Sequence, residues 1–153
     1  MAKPLIVLLV GLPASGKSTW AGANGATPLS SDAIRQLLAD DETAQSIHKQ
    51  VFATIRYLLR ERLKLARPVT YIDATHLTAW ERKPYFAIAE RFGALVDAVY
   101  FDVPLAECKR RNRLRSRQVP EAALDAMSKK LVPPSRAEGF SRVTVITFPS
   151  PVA

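Results

Sequence analysis

Near the N-terminus the chain reads Gly11-Leu12-Pro13-Ala14-Ser15-Gly16-Lys17-Ser18-Thr19, which sets Gly11, Gly16, Lys17 and Ser18 at the spacing G-x-x-x-x-G-K-[ST]. Each residue type answers one chemical need. Glycines let main-chain N–H groups close in on a polyphosphate, and a helix opening there adds the positive end of its dipole. The Lys17 ammonium can bridge neighbouring phosphates, and the Ser18 hydroxyl can ligate a divalent cation. A plain strand–turn–helix connection with a surface lysine is the competing reading. Context decides against it: an apolar, strand-like run, Leu5–Val10, comes just before, and a helix-like segment just after.

Three further constellations carry chemistry. Asp73 ends the run VTYID, a strand pattern whose carboxyl end would face a ligand crevice in a parallel sheet. There it can hold Mg²⁺ directly or through water, or it can cap the turn before Thr75. Asp32 and Arg35 stand three apart at a helix start, on one face. Such a pair can take a proton from an attacking hydroxyl while holding an anionic acceptor, or it is an N-cap with a surface ion pair. Lys109, Arg110, Arg111, Arg113, Arg115 and Arg117 crowd one short stretch. Lys109–Arg111 suit a solvated helix face, whereas Arg115 and Arg117 lie beyond the helix, as in a lid closing over phosphates. On a longer helix Lys49, Arg56, Arg60 and Arg67 fall within roughly 40° of one another. They form a stripe that either tracks a nucleic-acid backbone or is merely solvated. His48, His76 and Cys108 share no ligand spacing; the histidines read as polar fillers and Cys108 as core.

The elements that must position these residues alternate. Strands are expected at Leu5–Val10, Thr27–Ser30, Val69–Asp73, Leu95–Val103 and Arg142–Phe148. Helices are expected at Gly16–Ala21, from a cap at Ser31 or Asp32 to about Asp40, and from about Thr43 to Arg67. Others follow at Thr78–Phe92, Pro104–Leu114 and Pro120–Leu131. That order predicts an α/β domain over residues 1–153, with a mostly parallel sheet covered by helices on both faces.

Composition bounds the rest. A chain of 153 residues, 48% hydrophobic and 24% charged, can bury a real core and is not disordered. Its formal net charge of +8 suits phosphate, nucleic acid or another acidic partner. One cysteine excludes an internal disulfide and a cysteine-based zinc cluster, and fits the reducing cytoplasm. The apolar run before Gly11 is far short of the roughly 20 residues that cross a bilayer, so no membrane association is expected.

These motifs together resemble the P-loop kinase module of the polynucleotide 5′-hydroxyl kinase family, over about residues 5 to 146. The kinase domain of bacterial RNA-end-repair kinase-phosphatases is a nearer match than the phage enzyme. GLPASGKSTW resembles the family's phosphate loop, SSDAIRQ its D-x-x-R segment, IDATH its strand-end D-x-T-N, and FDVP with RRNRLRSRQVP its approach to the lid. The resemblance implies a P-loop NTPase three-layer sandwich with a five-stranded parallel sheet, ordered 2-3-1-4-5, and a short arginine-rich lid. It implies ATP and Mg²⁺, with transfer of the γ-phosphoryl group to a 5′-OH end of DNA or RNA. It gives Asp32 the role of general base and Arg35 that of acceptor-phosphate ligand. Lys17 and Arg115 then stabilise the transferring group, Arg117 adjoins them, residues Gly11 to Thr19 cradle the nucleotide, and Ser18 with Asp73 face the metal. His76 stands where the pattern has Asn, and the D-x-D-G-T phosphatase motif does not occur in the sequence, which suggests a stand-alone kinase. Kinases of sugars, nucleosides, antibiotics or tRNA share this scaffold and form the alternative, with a non-catalytic ATP-binding module behind them.

Overall fold

β1 (Leu5–Val10) is LIVLLV, apolar at every position, and Ile6 to Val10 are almost wholly shielded from solvent. A strand covered on both faces belongs at the centre of a parallel sheet. In the computed structural model, which describes residues 2–148, β1 pairs in parallel with β3 (Val69–Asp73) on one side and β4 (Leu95–Asp102) on the other. β2 (Leu29–Ser30) and β5 (Arg142–Thr147) form the edges, so the order is β2-β3-β1-β4-β5, all parallel. This is the order the resemblance implied.

Helices cover both faces. On one, α2 (Ser31–Ala39), α3 (His48–Lys64) and α4 (Ala79–Phe92) pack Ile34, Val51, Ile55, Leu59, Tyr85 and Ile88 over Ile6, Leu8 and Val10. On the other, α1 (Lys17–Ala23), α5 (Leu105–Arg113) and α6 (Glu121–Lys130) bring Ala21, Cys108 and Met127 against Val7, Leu9 and Phe101. Alternate β1 side chains thus feed two separate cores, as a period of two requires. Cys108 lies in the core, as its helical setting suggested.

Several boundaries differ from the sequence reading, each for a local reason. The Ser30 hydroxyl caps α2 by accepting from Ala33 N–H at 3.2 Å, so neither Ser31 nor Asp32 is the cap. α3 starts at His48 instead of Thr43, because Asp41 holds Thr43 in an Asx turn through its N–H at 2.9 Å and its hydroxyl at 2.6 Å. α3 also ends at Lys64, and Ala66 takes a left-handed φ of 57°, so Arg67 leaves the basic stripe. β4 stops at Asp102, β5 at Thr147, and β2 has only two residues. A 3₁₀ turn at Arg136–Glu138, opened by a capping box of Ser135 with Glu138, lies outside the expected elements.

Buried Arg82 braces the connection after β3. Its guanidinium donates to the carbonyls of His76 at 2.9 Å, of Leu77 at 3.1 Å and of Val132, and pairs with Glu138 at 2.9 Å. The loop leaving β3, which bounds the site described next, is held from beneath by one side chain.

Candidate active site

In an all-parallel sheet every carboxyl end lies on one edge. The register aligns them here: Leu9 stands opposite Asp73, and Asp73 opposite Ser30. The loop after β1, the acid ending β3 and the start of α2 therefore converge. Gly11 N–H donates to the Thr75 carbonyl at 3.1 Å, tying the loop to the end of β3.

The loop is built for close approach. A Cβ on Gly11 would lie 2.8 Å from Ser15 Oγ and 3.1 Å from Phe101 Cβ, which only glycine avoids. Gly16, at φ 103°, is the N-cap of α1, where a side chain would be strained. Trp20 anchors the helix behind the loop, its ring tilted on Tyr71 and edge-on to Phe101, both at 6.1 Å. Within the loop, Lys17 Nζ donates to the carbonyls of Gly11 at 3.0 Å and Leu12 at 2.8 Å. Burial pushes the Lys17 pKa below its ordinary value, and the Asp73 carboxylate opposes that push. Leu12 is buried, Pro13 and Ala14 are half-buried, and Ser18 and Thr19 open the first turn of α1 to solvent. The Ser18 hydroxyl donates to Asp73 Oδ2 at 2.7 Å, so the two oxygens a divalent cation would take already meet. Ser15 Oγ is buried without a partner among the described residues. An unsatisfied hydroxyl and a hydroxyl–carboxylate pair fit a phosphate and a hard cation respectively.

Asp32 and Arg35 are also brought together, Arg35 Nη1 donating to Asp32 Oδ1 at 3.3 Å. Their exposures differ: the Arg35 side chain is 7% accessible and that of Asp32 54%. Arg35 Nε is buried with no partner among the described residues. A surface ion pair would leave neither residue buried, so that bland reading fails for Arg35. Arg117 reaches across to the same acid, Nη2 to Asp32 Oδ2 at 3.5 Å, and pairs with Glu42. Arg115 follows α5, half-exposed, and its charge is among those that lower the Lys17 pKa.

The rest of the basic run is neutralised locally. Lys109 pairs with Asp125 at 2.7 Å and Arg113 with Glu121 at 2.6 Å. Glu107 accepts from Arg110 at 2.6 Å and from Arg111 at 2.8 Å, and these hydrogen bonds, led by Arg110, hold its carboxyl down at about 2. The solvated-face reading suits Arg110 and fails for Arg111, which Glu107 turns toward the loop. A Cβ on Gly16 would lie 3.5 Å from Arg111 Nη1. The signal that could have placed it is the Glu107–Arg111 spacing of one helical turn.

His76 proves more than a polar filler. At a left-handed φ of 49°, its Nδ1 lies 2.6 Å from the Leu9 carbonyl and must donate, because a carbonyl only accepts. Burial drives its pKa down to about 4, so the ring is neutral at pH 7 and bonds β3's end to β1.

A protein family described as an AAA domain matches residues 6–134. The chain belongs to that family. Its fold is that of P-loop kinase structures, and its sequence is similar to a polynucleotide phosphatase/kinase. The bifunctional polynucleotide phosphatase/kinase of Schizosaccharomyces pombe is 29% identical over 148 residues, covering 94% of this chain and 33% of that protein. The chain thus spans about a third of the length of this relative. Among solved structures, one in the Pnkp1/Rnl/Hen1 RNA repair complex superposes with a TM-score of 0.73 at 20% identity, covering 86% of this chain and 45% of the other. A gluconokinase from Sinorhizobium meliloti 1021 gives 0.64 at 18% identity, covering 99% and 86%. At such identities these likenesses speak to fold alone. No helix among the described residues is long and apolar enough to cross a membrane.

Proposed function

We propose that this kinase, acting in the cytoplasm as one domain over residues 1–153, phosphorylates the 5′-OH end of a DNA or RNA strand. The observation that carries the reading is the Asp32–Arg35 pair, a carboxylate open to solvent beside a buried guanidinium with an unsatisfied N–H. Asp32 takes the proton of the attacking hydroxyl as its oxygen bonds to the γ-phosphorus of ATP, while the bond to the β–γ bridging oxygen breaks and ADP leaves. Arg35 holds the phosphate that follows the acceptor nucleoside, a group that a 5′-OH strand end has and a free sugar lacks. Lys17, Arg115 and the main-chain N–H groups from Gly11 to Thr19 stabilise charge on the transferring group, with Arg117 steadying Asp32. Ser18 and Asp73 would hold Mg²⁺, which would supply charge neutralisation on the phosphates.

Two facts support this acceptor over others: the net charge of +8, and the S. pombe relative's name. The gluconokinase likeness favours a small hydroxylated metabolite instead. Incubation with γ-labelled ATP and a panel of 5′-OH oligonucleotides, nucleosides and sugars separates them. Label on the oligonucleotides is expected; label confined to a sugar or nucleoside would overturn the assignment.

A further inference from the structure

Between α3 and α4, beside the end of β3, lies a cavity of about 690 Å³ to which the roles above give no occupant. Its walls are aromatic. His48 and Phe52, ring centroids 4.7 Å apart, come from the start of α3, and Trp80, 78% exposed, from the first turn of α4. Lys49 and Arg56 add two positive charges to the lining. They stand seven residues apart, two turns along one helix face. Glu81, the acid of the lining, is committed to the α4 cap through the Thr78 N–H at 3.2 Å.

Two buried polar groups complete the lining. The Tyr85 hydroxyl and His76 Nε2 have no partner among the described residues, and the two side chains are 1% and 3% exposed, their rings edge to face at 5.5 Å. A buried group without a hydrogen bond is costly, and proteins rarely keep two side by side unless something else satisfies them. Their characters are complementary. His76 Nδ1 donates to Leu9, so Nε2 of the neutral ring only accepts, while the Tyr85 hydroxyl donates. A donor beside an acceptor is what the pairing edge of every unpaired nucleobase presents in mirror form.

We propose that this cavity holds one unpaired nucleobase of the acceptor strand. The ring stacks on Trp80 and Phe52, its pairing edge meets Tyr85 Oη and His76 Nε2, and the adjoining phosphates meet Lys49 and Arg56. The inference rests on the strand-end reading above and adds a consequence. A base already paired cannot offer its edge, so the base held here must be unpaired.

Binding without ATP tests the cavity apart from catalysis. Anisotropy of a fluorescein-labelled 5′-OH strand is compared with the same strand carrying one abasic nucleotide, moved stepwise from the 5′ end. One position is expected to weaken wild-type binding by about tenfold, the scale of a single base–aromatic stack. Trp80→Ala weakens the intact strand similarly and no longer responds to that abasic position, since the two changes remove one contact. Tyr85→Phe, which keeps the ring, is expected to lose a few-fold in affinity. Lys64→Ala, removing a charge from the far end of α3, keeps the abasic signature. A flat abasic scan in the wild type, or Trp80→Ala retaining full sensitivity, overturns the cavity's assignment even where oligonucleotides are phosphorylated. Trp80→Ala raising the KM of a sugar or nucleoside with strand binding unchanged overturns it too. The abasic signature without any transfer to strand ends would leave the cavity standing and remove the strand-end kinase reading.

Discussion

Asp32 and Ser30 divide two jobs that the sequence left on one residue. Because Ser30 caps α2, Asp32 is free of the helix end and pairs with Arg35 and Arg117. Asp32→Asn should therefore keep its Tm within a few degrees while turnover falls at least about 100-fold, the lower range for general-base catalysis. Steady-state kinetics beside a thermal melt checks both halves, and a near-normal kcat would leave Asp32 no chemical role. His76 makes a second prediction, on stability. Burial lowers its folded pKa to about 4 from an ordinary 6.5, so the unfolded chain binds the proton more readily between those values. Its neutral form contributes fully above pH 6.5, and that contribution falls as pH drops toward 4, by about 3 kcal/mol in all. Urea denaturation from pH 7.5 to 4 should show this loss, and His76→Asn should flatten it. An equally steep loss in the variant would mean other groups are responsible.

Elements were legible where local pattern and tertiary demand agree. β1, β3 and α4 could be placed because an unbroken apolar run, a β-branched and aromatic stretch after Pro68, and the Thr78–Gly93 punctuation leave little choice. The start of α3 was not legible, since residues 43–47 carry no helix breaker and only the Asp41 turn diverts the chain. The phosphate loop, Asp73 and Asp32–Arg35 could be read from residue types at fixed spacing. Tyr85 and the working nitrogen of His76 could not, because their roles depend on which groups burial leaves unpaired. Arg82 is the plainest such case: within the helix it reads as a surface cation, yet it is fully buried on three carbonyls and Glu138. Arg82→Met should cost about 3–5 kcal/mol, as removal of one partner of a buried ion pair does. A shift below about 1 kcal/mol in urea denaturation would show that the brace is dispensable.

Across the whole molecule, parallel topology gathers the phosphate loop, Asp73, Asp32 and the α3–α4 cavity at the carboxyl edge of one sheet. A strand lying along that edge meets Arg35, Lys49 and Arg56 in addition to the nucleotide site. Three phosphate contacts predict a log–log salt slope of roughly −2 for strand binding. Titration of affinity against salt checks it, and a slope near zero would detach the basic residues from the acceptor. The site of transfer tests the central claim most directly. Wild-type enzyme is given γ-labelled ATP and one oligonucleotide in two forms, with a 5′-OH or a 5′-phosphate end and the same 3′-OH. The account predicts label only on the 5′-OH form, all of it released by nuclease digestion as the 5′-terminal nucleotide, and at least about 100-fold slower labelling with Asp32→Asn. Label at the 3′ end, or no label on either form while a sugar or nucleoside is phosphorylated, would contradict it.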